Sequence, residues 1–165
     1  MHTTQRLSGG HNPEPITAAI RSILGRGAIP IALGTDVGGF IPFVRAYGGC
    51  AALCIAHIDA HIDSRNERDG VREGYSSVMR RASEMPWVKG MAQVGLRGIG
   101  SARQREVDDA LAFGSVLIRA REVHREGIDA CIERIPAADN YLITIDTDAL
   151  DTAIAPGVLF TSPGG

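Results

Sequence analysis

The chain has 165 residues, which fits one domain of ordinary size and leaves little room for a second. Hydrophobic residues make up 44% and charged residues 22%, far from the low-hydrophobicity, high-charge composition of a disordered chain. Seventeen basic and nineteen acidic side chains leave a formal charge of −2, so the charge balance gives no ground for a nucleic-acid partner or an anionic membrane surface.

Residues 1–15 are polar and rich in Gly and Pro and are expected to be a loosely ordered N-terminal segment, with 16–165 forming the folded domain. No apolar run approaches the roughly 20 residues needed to cross a bilayer, and Met1–Arg6 leads into no apolar stretch of signal-peptide type. A cytoplasmic location without a membrane partner is the resulting default.

Ile16, Ala19, Ile20, Ile23 and Leu24 recur at helical spacing, ended by Gly25 and Gly27. Ile29–Leu33 is then the first strand candidate and Ala52–Ile58 the second. Ala92–Leu96 is the third, and after it Ser101 is placed to cap a helix running through Val107, Ala110 and Leu111 to Gly114. Ser115–Ile118 follows as a strand; Ile128, Cys131, Ile132 and Ile135 mark a third helix, stopped by Pro136; Tyr141–Ile145 is the last strand.

Runs that are apolar on both faces suit strands buried between two layers, and strands alternating with helices imply an α/β layered fold with a parallel sheet. Ligands in such folds gather beyond the carboxyl ends of the strands. Cys50, Cys54 and Cys131 sit among small or apolar neighbours and form no Cys-x-x-Cys pair, so they read as buried, reduced thiols. The chain stops at Pro163-Gly164-Gly165 with no element after the last strand, which reads as a truncated domain.

Two of the strand candidates end in acids. In His57-Ile58-Asp59-Ala60-His61-Ile62-Asp63, residues two apart share a face of an extended chain, so both carboxylates and both imidazoles can leave the sheet together. Ile143-Thr144-Ile145-Asp146-Thr147-Asp148 repeats the pattern with two aspartates. Four carboxylates in one cleft repel unless protons or cations neutralise them. Oxygen-rich donors with one or two imidazoles favour Mn²⁺ or Mg²⁺, and two such ions can share one set. The competing reading is that the aspartates cap turns and that His57 is an ordinary core histidine. A phosphoryl-transfer reading of Asp146-x-Asp148 is disfavoured, because that motif opens a fold and here comes last.

These motifs together resemble the ureohydrolase (arginase/agmatinase) family, and the agmatinase group within it. Asp59-Ala60-His61-Ile62-Asp63 is similar to the DAHxD signature and Thr144–Asp151 to SxDxDxxDP. Ala155-Pro156-Gly157 with Ser162–Gly165 resembles APG…PGG, and Val94–Gly98 resembles IGIRG. The resemblance implies a three-layer α/β/α sandwich with a mainly parallel sheet, incomplete at the C-terminus, and a binuclear Mn²⁺ site. By the same resemblance Asp59 and Asp146 bridge the metals, Asp63 binds the first, and His61 and Asp148 bind the second. Asp148 also helps to handle the proton as hydroxide attacks a small guanidino substrate. A full-length member would be a homo-oligomer.

The match departs from the pattern in three places, one of them being that the family's substrate-facing glutamate is expected past Gly165. Val37 stands where the family's GGDHS motif has a metal-binding histidine, which weakens the first site unless Asp36 or water substitutes. Replacing Val37 with His is expected to add a ligand, unless Val37 packs against Ile31 or Phe40. Tyr75-Ser76 stands where many relatives have His-Gly, and Tyr75 is a poor proton shuttle near neutral pH. Anchoring a loop is its alternative role.

Overall fold

The computed structural model describes residues 13–34, 37–49, 52–98 and 102–165. Four strands, β1 (Leu53–Ile58), β2 (Val88–Leu96), β3 (Val116–Arg119) and β4 (Asn140–Ile145), form one sheet in the order β3-β2-β1-β4, with every neighbouring pair parallel. Six helices connect or flank them: α1 (Glu14–Leu24), α2 (Phe40–Arg45), α3 (Val78–Ser83), α4 (Gln104–Phe113), α5 (Ala120–Glu126) and α6 (Ile128–Ile132). Among the described residues no helix is long and apolar enough to cross a membrane.

The centre of the sheet is buried between two layers because β1 is apolar on both faces. Leu53 and Ile55 point into a core shared with Met91 of β2, Leu142 of β4 and the inner sides of α2 and α3, including Ile41, Val44, Val78 and Met79. Cys54 and Ala56 face the other way, where Pro136 lies against Gly90 and the chain from α5 to α6 closes the layer with buried Ala120 and Cys131. Small residues there, Gly90 and Ala92 on β2, let the covering layer approach closely. Cys54 and Cys131 are free and buried, as their apolar neighbours imply; Cys50 lies outside the described residues.

Several expected elements shift or fail. Ile29–Leu33 is not a strand: Ile29, Ile31 and Leu33 are 88%, 82% and 96% exposed, and none of the four strands lies against them. An apolar run makes a strand only when a neighbour takes its backbone bonds, and this run is paired with none of the four strands among the described residues. β4 forms as expected but packs on one face only, leaving Ile143 and Ile145 each 66% exposed. Ser101 lies outside the described residues, and α4 begins instead after Arg103, whose backbone N–H donates to Glu106 Oε2 at 2.7 Å. Residues 1–12 are also outside them. This packing sets a contrast that denaturant unfolding can check. Ile55→Ala should cost about 2–5 kcal/mol, as a cavity in a closed core does. Ile143→Thr should change stability by no more than about 0.5 kcal/mol.

Candidate metal centre

The site is built where β1 and β4 leave the sheet side by side. Ile58 pairs with Ile145, and the next backbone bond, Asp146 N–H to Ile58 C=O at 2.9 Å, carries the pairing one step past the strands. Asp59 and Asp146 therefore follow adjacent strands at the same level. On the other side, Asp59 N–H donates to Val94 C=O at 3.0 Å, and Gly95 bends β2 with φ 99°. A Cβ at Gly95 would come within 3.1 Å of the Asp59 carbonyl oxygen, so β2 can pass this closely only with glycine there.

Asp59 is the centre of the arrangement and is 1% exposed. Its Oδ1 accepts from His61 N–H at 2.7 Å and lies 3.5 Å from His61 Nδ1. His61 Nδ1 in turn lies 2.9 Å from Asp148 Oδ2, while Asp148 Oδ1 accepts from Ala60 N–H at 3.3 Å. Asp59, His61 and Asp148 thus offer three donor atoms within 4.8 Å of one another. A second group within the same limit is His57, Asp59 and Asp63. Asp63 is held in the left-handed region at φ 45°, which turns the chain into the loop leading to α3.

Asp146 belongs to neither group. Its Oδ1 caps the short turn Thr147–Ala149 by accepting from Asp148 N–H at 3.0 Å, so the capping role weighed from the sequence is present. It is nonetheless near enough for its charge to act on Asp63 and to feel that of Asp59. The sequence reading missed how Arg97 braces this turn. Its guanidinium donates to the carbonyls of Gly95, Asp148, Leu150 and Ser162 at 2.7–3.1 Å, tying the end of β2 to the Asp148 turn and the C-terminal loop.

Electrostatics follow from so many acids around so few cations. Burial alone would raise the Asp59 pKa, but close contacts with His57 and His61 outweigh it and hold the carboxyl below its ordinary range. His61 is pushed up to about 10 by its contact with Asp148 and then by Asp59, against the opposing effect of burial. Asp63 is pushed up to about 7, by burial first and by the Asp59 charge second. Burial also raises Asp146. With only the protein's own groups present, a proton on His61 does the neutralising. Asp59 Oδ2, fully buried, has no aligned hydrogen-bond partner. An orphaned carboxylate oxygen flanked by acids and imidazoles is the donor chemistry of a hard divalent cation.

A cation must displace those protons, which makes its binding pH-dependent. Between pH 7 and 9 Mn²⁺ affinity should rise about tenfold per pH unit, as one proton leaves His61, and more steeply below pH 7, where Asp63 also loses one. Mn²⁺ titrations at several pH values, with proton release measured in weak buffer, check this. A flat profile contradicts it.

Val37 is partly buried and packs against the core cluster that contains Phe40, in agreement with the packing alternative, while Ile31 stays exposed. Thr35 and Asp36 lie outside the described residues. Tyr75 anchors its loop, with its ring 6.5 Å from that of Phe160 and the Arg68 guanidinium 5.5 Å from its centroid.

Comparison with known proteins places this geometry. The model described as "Arginase family" matches residues 4–165. The mitochondrial arginase of Medicago truncatula is 31% identical over 143 residues, covering 82% of this chain and 40% of that protein. The formimidoylglutamase of Geobacillus thermodenitrificans (strain NG80-2) is 30% identical over 155 residues, covering 89% and 47%. Among solved structures, the agmatine ureohydrolase of Thermoplasma volcanium superposes with a TM-score of 0.80 at 26% identity, covering 96% of this chain and 54% of that one. The chain spans about half the length of the curated relatives it matches.

Proposed function

We propose, from the premise that the chain belongs to the arginase family, that it carries a manganese centre for hydrolysing the C–N bond of a guanidino compound in the agmatinase manner, giving urea and an amine. The observation that carries this reading is the convergence of Asp59, His61 and Asp148, with Asp63 beside them, at the ends of two adjacent parallel strands. Asp59, His61 and Asp148 would hold one ion. Asp59, Asp63 and Asp146 would hold the other, more weakly, because Val37 offers no lone pair and packs into the core. When bound, such ions supply the Lewis acidity that makes water a nucleophile at neutral pH.

The protein's own groups do the rest. Buried Asp59 orients the centre from the rigid end of β1. Asp148, held by Ala60 N–H and with a carboxylate edge near His61, would take up the proton released as water attacks. Arg97 keeps the Asp148 turn from drifting, since a small displacement of a positioned group costs rate steeply. A second reading is favoured by Val37, which leaves the first site without an imidazole: a non-catalytic relative that keeps the fold and at most one metal. Metal stoichiometry and urea release from agmatine, measured on the same Mn²⁺-loaded sample, separate the two. Two ions with urea formation support hydrolysis; one ion or none without urea supports the second reading.

A further inference from the structure

β1 carries a second imidazole, His57, two residues before Asp59 and 1% exposed like it. The register sets His57 beside Gln93 of β2, which is also fully buried. The Gln93 amide nitrogen lies 2.6 Å from the Ile62 carbonyl oxygen and 3.2 Å from His57 Nδ1. A backbone carbonyl only accepts, so the amide atom facing it must be the NH₂ group; the reverse orientation would press two oxygens together. That fixes the amide, and its second N–H is directed at Nδ1. Nδ1 therefore accepts and carries no proton, which in a neutral imidazole places the proton on Nε2. Nε2 lies 2.7 Å from Asp59 Oδ2, both atoms buried and neither with another hydrogen-bond partner, so each is the other's nearest polar neighbour.

We propose that His57 is a positioning residue of the centre: Gln93 sets its tautomer, and its Nε2–H bears on Oδ2 of Asp59 and holds that carboxylate ready for both halves of the site. This rests on reading the site as a metal centre. His57 is not itself a ligand, although it stands among the donor atoms around Asp59 and Asp63. A ligating nitrogen needs its lone pair, and Gln93 keeps that lone pair on Nδ1, on the far side of the ring from Asp59. Where the sequence shows only a core histidine, the structure gives a chain from Gln93 through His57 to Asp59. Groups that orient a metal ligand in this way are worth roughly 10–100-fold in affinity.

The whole chain, labelled with ¹⁵N-histidine and freed of metal by chelation, gives the first arm of the test. His57 should show a protonated Nε2 and a bare Nδ1, and should keep that tautomer when diamagnetic Cd²⁺ is added. In the second arm, free Mn²⁺ is followed by electron paramagnetic resonance. His57→Leu should bind Mn²⁺ at least about tenfold more weakly, while His57→Gln, which restores an N–H near the Nε2 position, should stay within about threefold of the parent. A histidine that only fills space would give losses that follow each variant's thermal unfolding instead. An Nδ1–H tautomer in either state overturns the proposal, as does undiminished Mn²⁺ affinity in His57→Leu. A parent chain that binds no Mn²⁺ ends the metal reading, and the tautomer of the parent still decides the Gln93–His57 arrangement without any variant.

Discussion

Asp59→Asn will abolish tight Mn²⁺ binding, lowering affinity at least about hundredfold and removing both ions rather than one. Both donor groups share the Asp59 carboxylate, so no half of the site survives its loss. Losing a group that merely orients a ligand costs roughly 10–100-fold, and a shared ligand sits above that range. Asparagine keeps an oxygen for the His61 N–H but loses the charge opposite His57 and His61. The metal-free variant should therefore also melt a few degrees lower, since those contacts hold the Asp59 carboxylate ionised in the folded chain. Isothermal titration with Mn²⁺ and a thermal scan of the chelated protein give both numbers. Retention of one tight ion would mean that Asp59 does not bridge the two groups.

Asp63→Asn should do the opposite to stability while still weakening metal binding. The Asp63 carboxyl is raised from 3.8 to about 7, by burial first and the Asp59 charge second. A raised pKa means that its contribution to stability is fully present below about pH 4 and is lost as pH rises through about 7. At pH 8 the charge on this half-buried carboxyl then costs the metal-free fold on the order of 2–4 kcal/mol, and asparagine removes that cost. Asparagine also tolerates the left-handed backbone at this position, φ 45°, so the loop need not change. The chelated variant should melt roughly 5–10 °C above the parent at pH 8 and close to it at pH 4. Saturating Mn²⁺ should narrow or reverse the gap, because an ion that binds only the folded state raises the parent's stability by mass action. Equal melting at pH 8 without metal would show that the charge on half-buried Asp63 costs the fold nothing.

Much of this site is legible in the chain because strand geometry converts spacing into direction. Apolar β1 and β4 each run straight into acids spaced two apart, and only their adjacency, Ile58 beside Ile145, had to come from the fold. Ile29–Leu33 shows the limit of the same logic. It is apolar at every position, yet a strand is made by its neighbour, which the segment's own residues do not specify. The helices α2, α3 and α5 are six or seven residues long, too short for a 3.6-residue period to stand out. Val37 is ambiguous in sequence because a loop residue after an apolar run can face either site or core, and only the fold shows it packed against the core cluster. Gln93 was invisible for a further reason: its partner His57 is 36 positions away, and only the β1–β2 register joins them.

Everything assigned to this strand end depends on the acids around Asp59 holding manganese. Crystals of the chain soaked in Mn²⁺ and measured at the manganese absorption edge locate the ion directly. A strong anomalous peak within bonding distance of Asp59, His61 Nδ1 and Asp148, with a weaker one beside Asp63, is the result expected. No peak at this strand end, or ions only on exposed surface carboxylates, would contradict it.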